Sequence, residues 1–246
     1  VKRLPRSVRI SVILRSLLVQ AAWNYRTMLG TGMAFALLPV LRYLHTDAEA
    51  LDAALERHSV HFNAHPYLTP VALGALARME VDGVQPEQIA RFRDAVRGPL
   101  GALGDRLVWA GWLPMSALVG VALVHMVAPV VGVVVFLVLF NILHLTLRIR
   151  GFHLGFEAGP ELGRRIRELD LSHRARQVEG TIALLLGVVV ALWMPGMGGA
   201  AEGIWWVGGS ALALLVGYAA GPRAWRPTAW IMIASVVTVG LWARFI

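Results

Sequence analysis

The 246 residues include no cysteine, which excludes both a disulfide framework and a thiolate metal site. Charge is scarce as well. Only 15% of the chain is Asp, Glu, Lys or Arg, where a soluble domain carries about 25%. Acids are the scarcer sign, with 15 Asp and Glu against 23 Lys and Arg, a formal net charge of +8. What remains is apolar: 57% of residues are hydrophobic and the mean hydropathy is +0.62. These features predict an all-α polytopic membrane protein. The basic residues, nearly all arginine, scatter among hydrophobic segments and form no stripe. That argues for loops facing anionic lipid and against nucleic acid.

The halves differ. In the second half, apolar runs near Leu107–Val127, Pro129–Leu147, Gly180–Met194, Ile204–Gly221 and Thr228–Trp242 predict about five transmembrane helices, each crossing needing about 20 residues. The connection from Arg148 to Gln177 carries seven arginines and that from Met197 to Gly203 none. The positive-inside rule then puts the N-terminus in the cytoplasm and the C-terminus outside. Residues 1–22 read as a cytoplasmic segment, with Val8–Val19 an amphipathic helix on the membrane face and no cleavable signal peptide. Residues 23–246 read as the membrane domain. Its part from 23 to 106 holds polar islands and re-entrant or broken helices, and its part from 107 to 246 the clear spans. Ala21–Leu44 is punctuated by Asn24, Arg26, two glycines and Pro39; Asp47–His61 has a polar helix pattern. Asp82–Pro86 is a turn, and Pro86–Arg97 a short solvent-facing helix.

One stretch stands out. Gly98-Pro99-Leu100-Gly101-Ala102-Leu103-Gly104-Asp105 has three glycines, a proline and no helical pattern, ends in a carboxylate, and precedes an apolar span directly. Irregular backbone at membrane depth is tolerated where protein buries it or where it lines a polar cavity, and an ionisable group there is a candidate functional group. Other polar islands are Gln20-Ala21-Ala22-Trp23-Asn24-Tyr25, His58 to Pro66, Met79-Glu80, Phe140-Asn141 and Arg148 to Phe156.

In order and spacing these islands resemble the IID subunit of the mannose/fructose/sorbose family of the bacterial phosphotransferase system. The family pattern reads Q-x-x-W-N-Y, H-x-x-F-F-N-T-x-P, a Glu-Glu pair, G-P-L-A-G-x-G-D, then R-x-x-G-x-x-x-G-Y. The likeness covers about Arg15 to Ile246. It implies a non-catalytic membrane subunit of a sugar permease in the bacterial cytoplasmic membrane, with neither cofactor nor metal. It implies a hetero-oligomer with a IIC subunit that translocates a hexose such as mannose, coupled to phosphorylation by IIA and IIB components. The chain departs from the pattern at Val81, which replaces the second Glu, at Arg106 after the aspartate, and at His61. The connection before Ile204 is also short. Arg106 and Val81 motivate an alternative: a membrane sensor or receptor derived from the permease, without transport.

The resemblance makes Gln20, His58, Asn63, Glu80 and Asp105 the candidate substrate-binding residues. Each has a plainer reading. Asp105 pairs with Arg106, or it meets sugar hydroxyls. The glycines let backbone approach a ligand, or they pack helices closely. Asn63 offers an amide that both donates and accepts, or it caps a broken helix. Glu80 binds, or it pairs with Arg78 or Arg91. Gln20 and Asn24 lie one turn apart on a helix. His58, His61 and His65 have the spacing of one helix face; Pro66 ends any such helix at or before His65, which favours hydrogen bonding over a metal. Asn141 and His144 read as interhelical hydrogen-bonding groups, and most tryptophans as an interfacial belt.

Overall fold

The computed structural model describes residues 4–170, 178–182 and 184–189. The described residues are helical, with no named strand. The elements are α1 (Arg6–Ser16), α2 (Gly30–Leu44), α3 (Ala48–Ser59), α4 (Thr69–Val81), α5 (Pro86–Gly104), a π-helix (Asp105–Trp112), α6 (Leu113–Met126), α7 (Pro129–Ala158), a 3-10 turn (Gly159–Glu161) and α8 (Leu162–Glu168).

Helix α4 is the centre. Val71 to Ala77 are all buried, as expected of a helix that is apolar all round. It packs against the second half of α7 through small residues. A Cβ on Gly74 would collide with the Phe152 carbonyl, and one on Gly155 with the Val71 carbonyl. Helices α1, α2 and α3 complete this core, with Val12, Met33, Leu37, Leu41 and Ala54 inside. Asp47 caps α3, its carboxylate accepting from Ala50 N at 2.9 Å.

Among the described residues, two helical stretches are long and apolar enough to cross a membrane: Pro86–Met126 and Pro129–Glu168. Helices α6 and α7 form a hairpin about Val127 and Ala128, and their backbones meet where Gly120 faces Gly132. Val130, Val133, Val134, Leu137 and Val138 remain exposed on α7, a surface suited to hydrocarbon. The end of α6 at Met126 and the start of α7 at Pro129 agree with the spans read from hydropathy, while the first helical stretch begins at Pro86 instead of Leu107 and α7 runs on to Ala158. Of Gly180–Met194, positions 180–182 and 184–189 are helical; the rest of that span, Ile204–Gly221, Thr228–Trp242 and the C-terminus lie outside the described residues.

The first half departs from expectation in three places. Gly98–Asp105 is helical, not irregular. Its buried positions Ile89, Arg93, Val96, Leu100 and Gly104 lie on one continuous face, and packing of that face overrides the propensity of Pro99 and the glycines. Pro86–Arg97 is therefore no short solvent-facing helix but the first part of α5. Gln20 and Asn24 do not share a helix: residues 17–29 run as turns, and the Asn24 side chain accepts from Arg26 N and Thr27 N in an Asx turn. This segment is fastened to the connection after α3, since Leu29 N donates to Phe62 O and Phe62 N to Thr27 O, at 3.0 and 3.1 Å. Met28 takes a positive φ of 52° at that junction.

The α4–α7 contact gives a matched test. Gly155→Ala should lower the thermal unfolding midpoint of the detergent-solubilised chain, at a cost of about 1–3 kcal/mol for overpacking. Gly163→Ala should not, because its nearest neighbour is the end of Arg167 at 3.8 Å. Equal midpoints for the two variants would contradict the packing.

Candidate functional site

Two polar assemblies occupy the first half, and they divide the five candidate residues between them. The first is buried. His58 Nε2 lies 2.7 Å from Glu80 Oε1 and donates to it, and Arg57 reaches the same oxygen at 2.9 Å. Both acid and imidazole sit at helix C-terminal ends, on α3 and α4. Burial opposes ionisation of Glu80, but the His58 hydrogen bond and the Arg57 cation outweigh it and hold the carboxyl below its ordinary value. Burial lowers the His58 imidazole in turn, so it serves as a neutral donor. Arg78 pairs instead with Asp82 at 2.6 Å.

Beside this pair lies Arg93, almost wholly buried. Its guanidinium donates to the carbonyls of Arg57, His58 and Val60 at 2.9, 3.1 and 3.1 Å. The last carbonyls of a helix have no intrahelical partner, so Arg93 closes the end of α3 and ties it to α5. The sequence signal for this residue was present but unused: an arginine on the apolar face Ile89–Val96–Leu100.

The second assembly is an open cleft of about 440 Å³. Three segments wall it. The α1–α2 connection supplies Gln20 and Trp23, the α3–α4 connection supplies Asn63, His65 and Pro66, and α5 with the start of the π-helix supplies Gly98, Gly101, Ala102 and Asp105. The glycines admit close packing: a Cβ on Gly104 would strike the His65 side chain. Asp105 and Asn63 are exposed at the rim. Arg106 turns away from Asp105 to a bidentate pair with Glu179, at 2.7 and 3.2 Å.

His65 is the buried member. Its Nδ1 accepts from Tyr67 N at 3.2 Å, which leaves the proton on Nε2, and Nε2 has no partner among the described residues. Burial pushes its pKa down to about 4, against the opposing pull of Asp105. Trp109, on the π-helix and partly exposed, lies with its ring 5.0 Å from that of His65. The three histidines thus do separate work. His61 takes Arg97 at 3.0 Å, and no cluster able to hold a metal occurs among the described residues.

The cleft combines two carboxamides, a neutral imidazole N–H, one carboxylate and an indole face. A family model described as "PTS system mannose/fructose/sorbose family IID component" matches residues 3–195. The chain belongs to this family. It is 29% identical over 197 residues to the mannose-specific EIID component of Escherichia coli (strain K12), covering 78% of this chain and 68% of that relative. It is 26% identical over 200 residues to the fructose permease IID component of Bacillus subtilis (strain 168), covering 78% and 71%. A solved structure titled "Structure of membrane protein" matches with TM-score 0.76, 24% identity and 98% of both chains. The cryo-EM structure of the mannose transporter ManYZ with microcin E492 matches with TM-score 0.61, 23% identity, and 99% and 98% coverage. These two show the fold. This IID chain is accordingly a membrane permease component of the phosphotransferase system.

Within this IID fold, His58 and Glu80 are brought together and away from the cleft, whereas Gln20, Asn63 and Asp105 share it. The amide of Asn141 donates to Leu137 O of its own helix at 2.8 Å, not across helices. His144 stacks on Tyr67 at 4.2 Å and accepts from Arg148 Nε at 2.6 Å.

The titrations have one sign. The folded pKa of Glu80 is depressed, so its stabilisation is present above the ordinary carboxylate range and is lost as pH falls through the folded value. His65 drops from 6.5 to about 4, so its neutral form favours the fold above 6.5 and that contribution is lost between 6.5 and 4. The thermal midpoint should fall from pH 7 to pH 4. Glu80→Gln should lower the midpoint at pH 7, by about 3 kcal/mol for a broken buried pair, and flatten the acid limb. Parallel curves for variant and wild type would contradict the assignment.

Proposed function

We propose that this chain is the IID half of a hexose permease and holds its sugar in the cleft walled by Gln20, Trp23, Asn63, His65 and Asp105. The observation that carries this reading is the chemistry of the lining. A sugar presents hydroxyls that both donate and accept, and carboxamides answer either role. The His65 Nε2–H is a buried donor with no partner among the described residues, a group that a ligand oxygen would satisfy. The Asp105 carboxylate accepts from paired hydroxyls, and Trp23 offers an apolar face to the ring. A cleft of about 440 Å³ lies within the ~300–1,000 Å³ of small-molecule sites.

In this proposal Glu80 and His58 support the wall rather than touch sugar. The chain works with a IIC membrane subunit in the bacterial cytoplasmic membrane, its N-terminus inside. It is non-catalytic, and IIA and IIB components carry the phosphoryl group. Half of the binding site comes from this chain, and alternating access moves the site between the two sides of the membrane. The sensor alternative rested on Val81 and on Arg106 beside Asp105. Arg106 is engaged by Glu179 instead, which favours transport.

Uptake of labelled hexose tests the site, in a strain lacking its own IID and complemented with this chain and its IIC partner. Asn63→Ala and Asp105→Asn should each reduce uptake about tenfold or more, the loss expected for a hydrogen bond made to a polar or charged group. Glu161→Gln, exposed and distant in role, should transport normally. Wild-type uptake by both cleft variants would overturn the site, and absence of uptake by the unmodified pair would favour the sensor.

A further inference from the structure

We propose a second binding site, for one anionic phospholipid, in the groove between α1 and the second half of α7. The groove has a volume of about 420 Å³ and is lined by Arg6, Arg9, Ile10 and Leu14 from α1 and by Ile149 and His153 from α7, among others. Its polarity runs in one direction. Arg6 and Arg9 lie in the first turn of α1, where the helix terminus adds positive potential. Ile10 and Leu14 follow one and two turns on. At 1.5 Å per residue, Arg6 to Leu14 spans roughly 12 Å, a basic head followed by an apolar channel. That is the shape of a phosphate head with the upper part of an acyl chain, and not of a soluble anion.

Charge supports the same occupant. Neither arginine forms an ion pair among the described residues, and Arg9 Nε is a buried donor without a partner. An orphan buried N–H is costly unless something accepts from it, and a lipid phosphate oxygen would do so with charge assistance. His153, at the same groove, adds a further donor. The apolar wall continues outward: Ile10, Leu14, Leu17 and Leu18 are 45, 58, 44 and 56% exposed. Ile10 and Leu14 lie on the side of α1 opposite buried Val12 and Ser16, and Leu17 and Leu18 continue the apolar surface into the turn that follows. A helix with such a surface beside arginines lies at a lipid interface. The site is separate from the sugar cleft, and its test involves no sugar.

Native mass spectrometry of the full chain in detergent reads the outcome directly, with phosphatidylglycerol and phosphatidylcholine offered at equal concentration. The unmodified chain should retain phosphatidylglycerol at least tenfold over phosphatidylcholine. Arg6→Gln with Arg9→Gln should remove that preference, and Arg164→Gln, in an exposed ion pair on α8, should leave it. Equal retention of the two lipids overturns the proposal, as does a double variant that keeps the preference. Displacement of phosphatidylglycerol by millimolar inorganic phosphate would assign the site to a soluble anion and also overturn it. Should the double variant fail to fold, Ile149→Trp fills the apolar channel, and unchanged lipid retention by that variant contradicts the groove.

Discussion

Arg93 is the constraint on which the first half depends. A guanidinium placed among Ile89, Val96 and Leu100 is expensive to bury, and no carboxylate pairs with it among the described residues. It is stabilised by three carbonyls at the end of α3 and by the face of Phe62 at 5.5 Å. Because those carbonyls are the orphans of a helix terminus, each side satisfies the other. The consequence is geometric. The chain leaving α3, residues 60–66, is held at a fixed place against α5, and these two segments are opposite walls of the cleft.

The third wall follows from the same anchor. Phe62, held under Arg93, exchanges backbone hydrogen bonds with Thr27 and Leu29, which sets the turn segment containing Gln20 and Trp23. Glu80, His58 and Arg57 lock the underside by joining the ends of α3 and α4. In the proposed function the buried ion pair is thus the support and the open cleft the site. A charge paired so fully has little left to offer a ligand, while an exposed carboxylate and an imidazole N–H without a partner among the described residues have that capacity.

Much of this organisation was legible in the sequence. Runs of valine and leucine marked the turn between α6 and α7, and Asp47 and the Asp82–Gly83 turn marked boundaries with a local mechanism. Gln20, Asn63 and Asp105 were read together because their islands resemble a family pattern, and they line one cleft. What failed was non-local. His58 and Glu80 meet across 22 positions, so no local pattern shows that they satisfy each other. Arg106 finds Glu179 at a separation of 73; the sequence offered only its neighbour Asp105. The helix through Pro99 was missed because intrinsic propensity is weak beside a continuous buried face. His65 was read with the other histidines by spacing, yet Pro66 and the close approach of Gly104 give it a different environment.

Family membership makes the chain a permease subunit, and the sugar contacts proposed for it come from three separate stretches of chain. Photolabelling by a hexose carrying a photoactivatable group tests that proposal most directly, with the chain in membranes alongside the proposed IIC subunit. The account predicts labelled peptides containing Gln20–Trp23, Asn63–Pro66 or Gly98–Asp105, all suppressed by excess unlabelled hexose. Saturable labelling confined to the region of His58 and Glu80, or absent from all three walls, would contradict it.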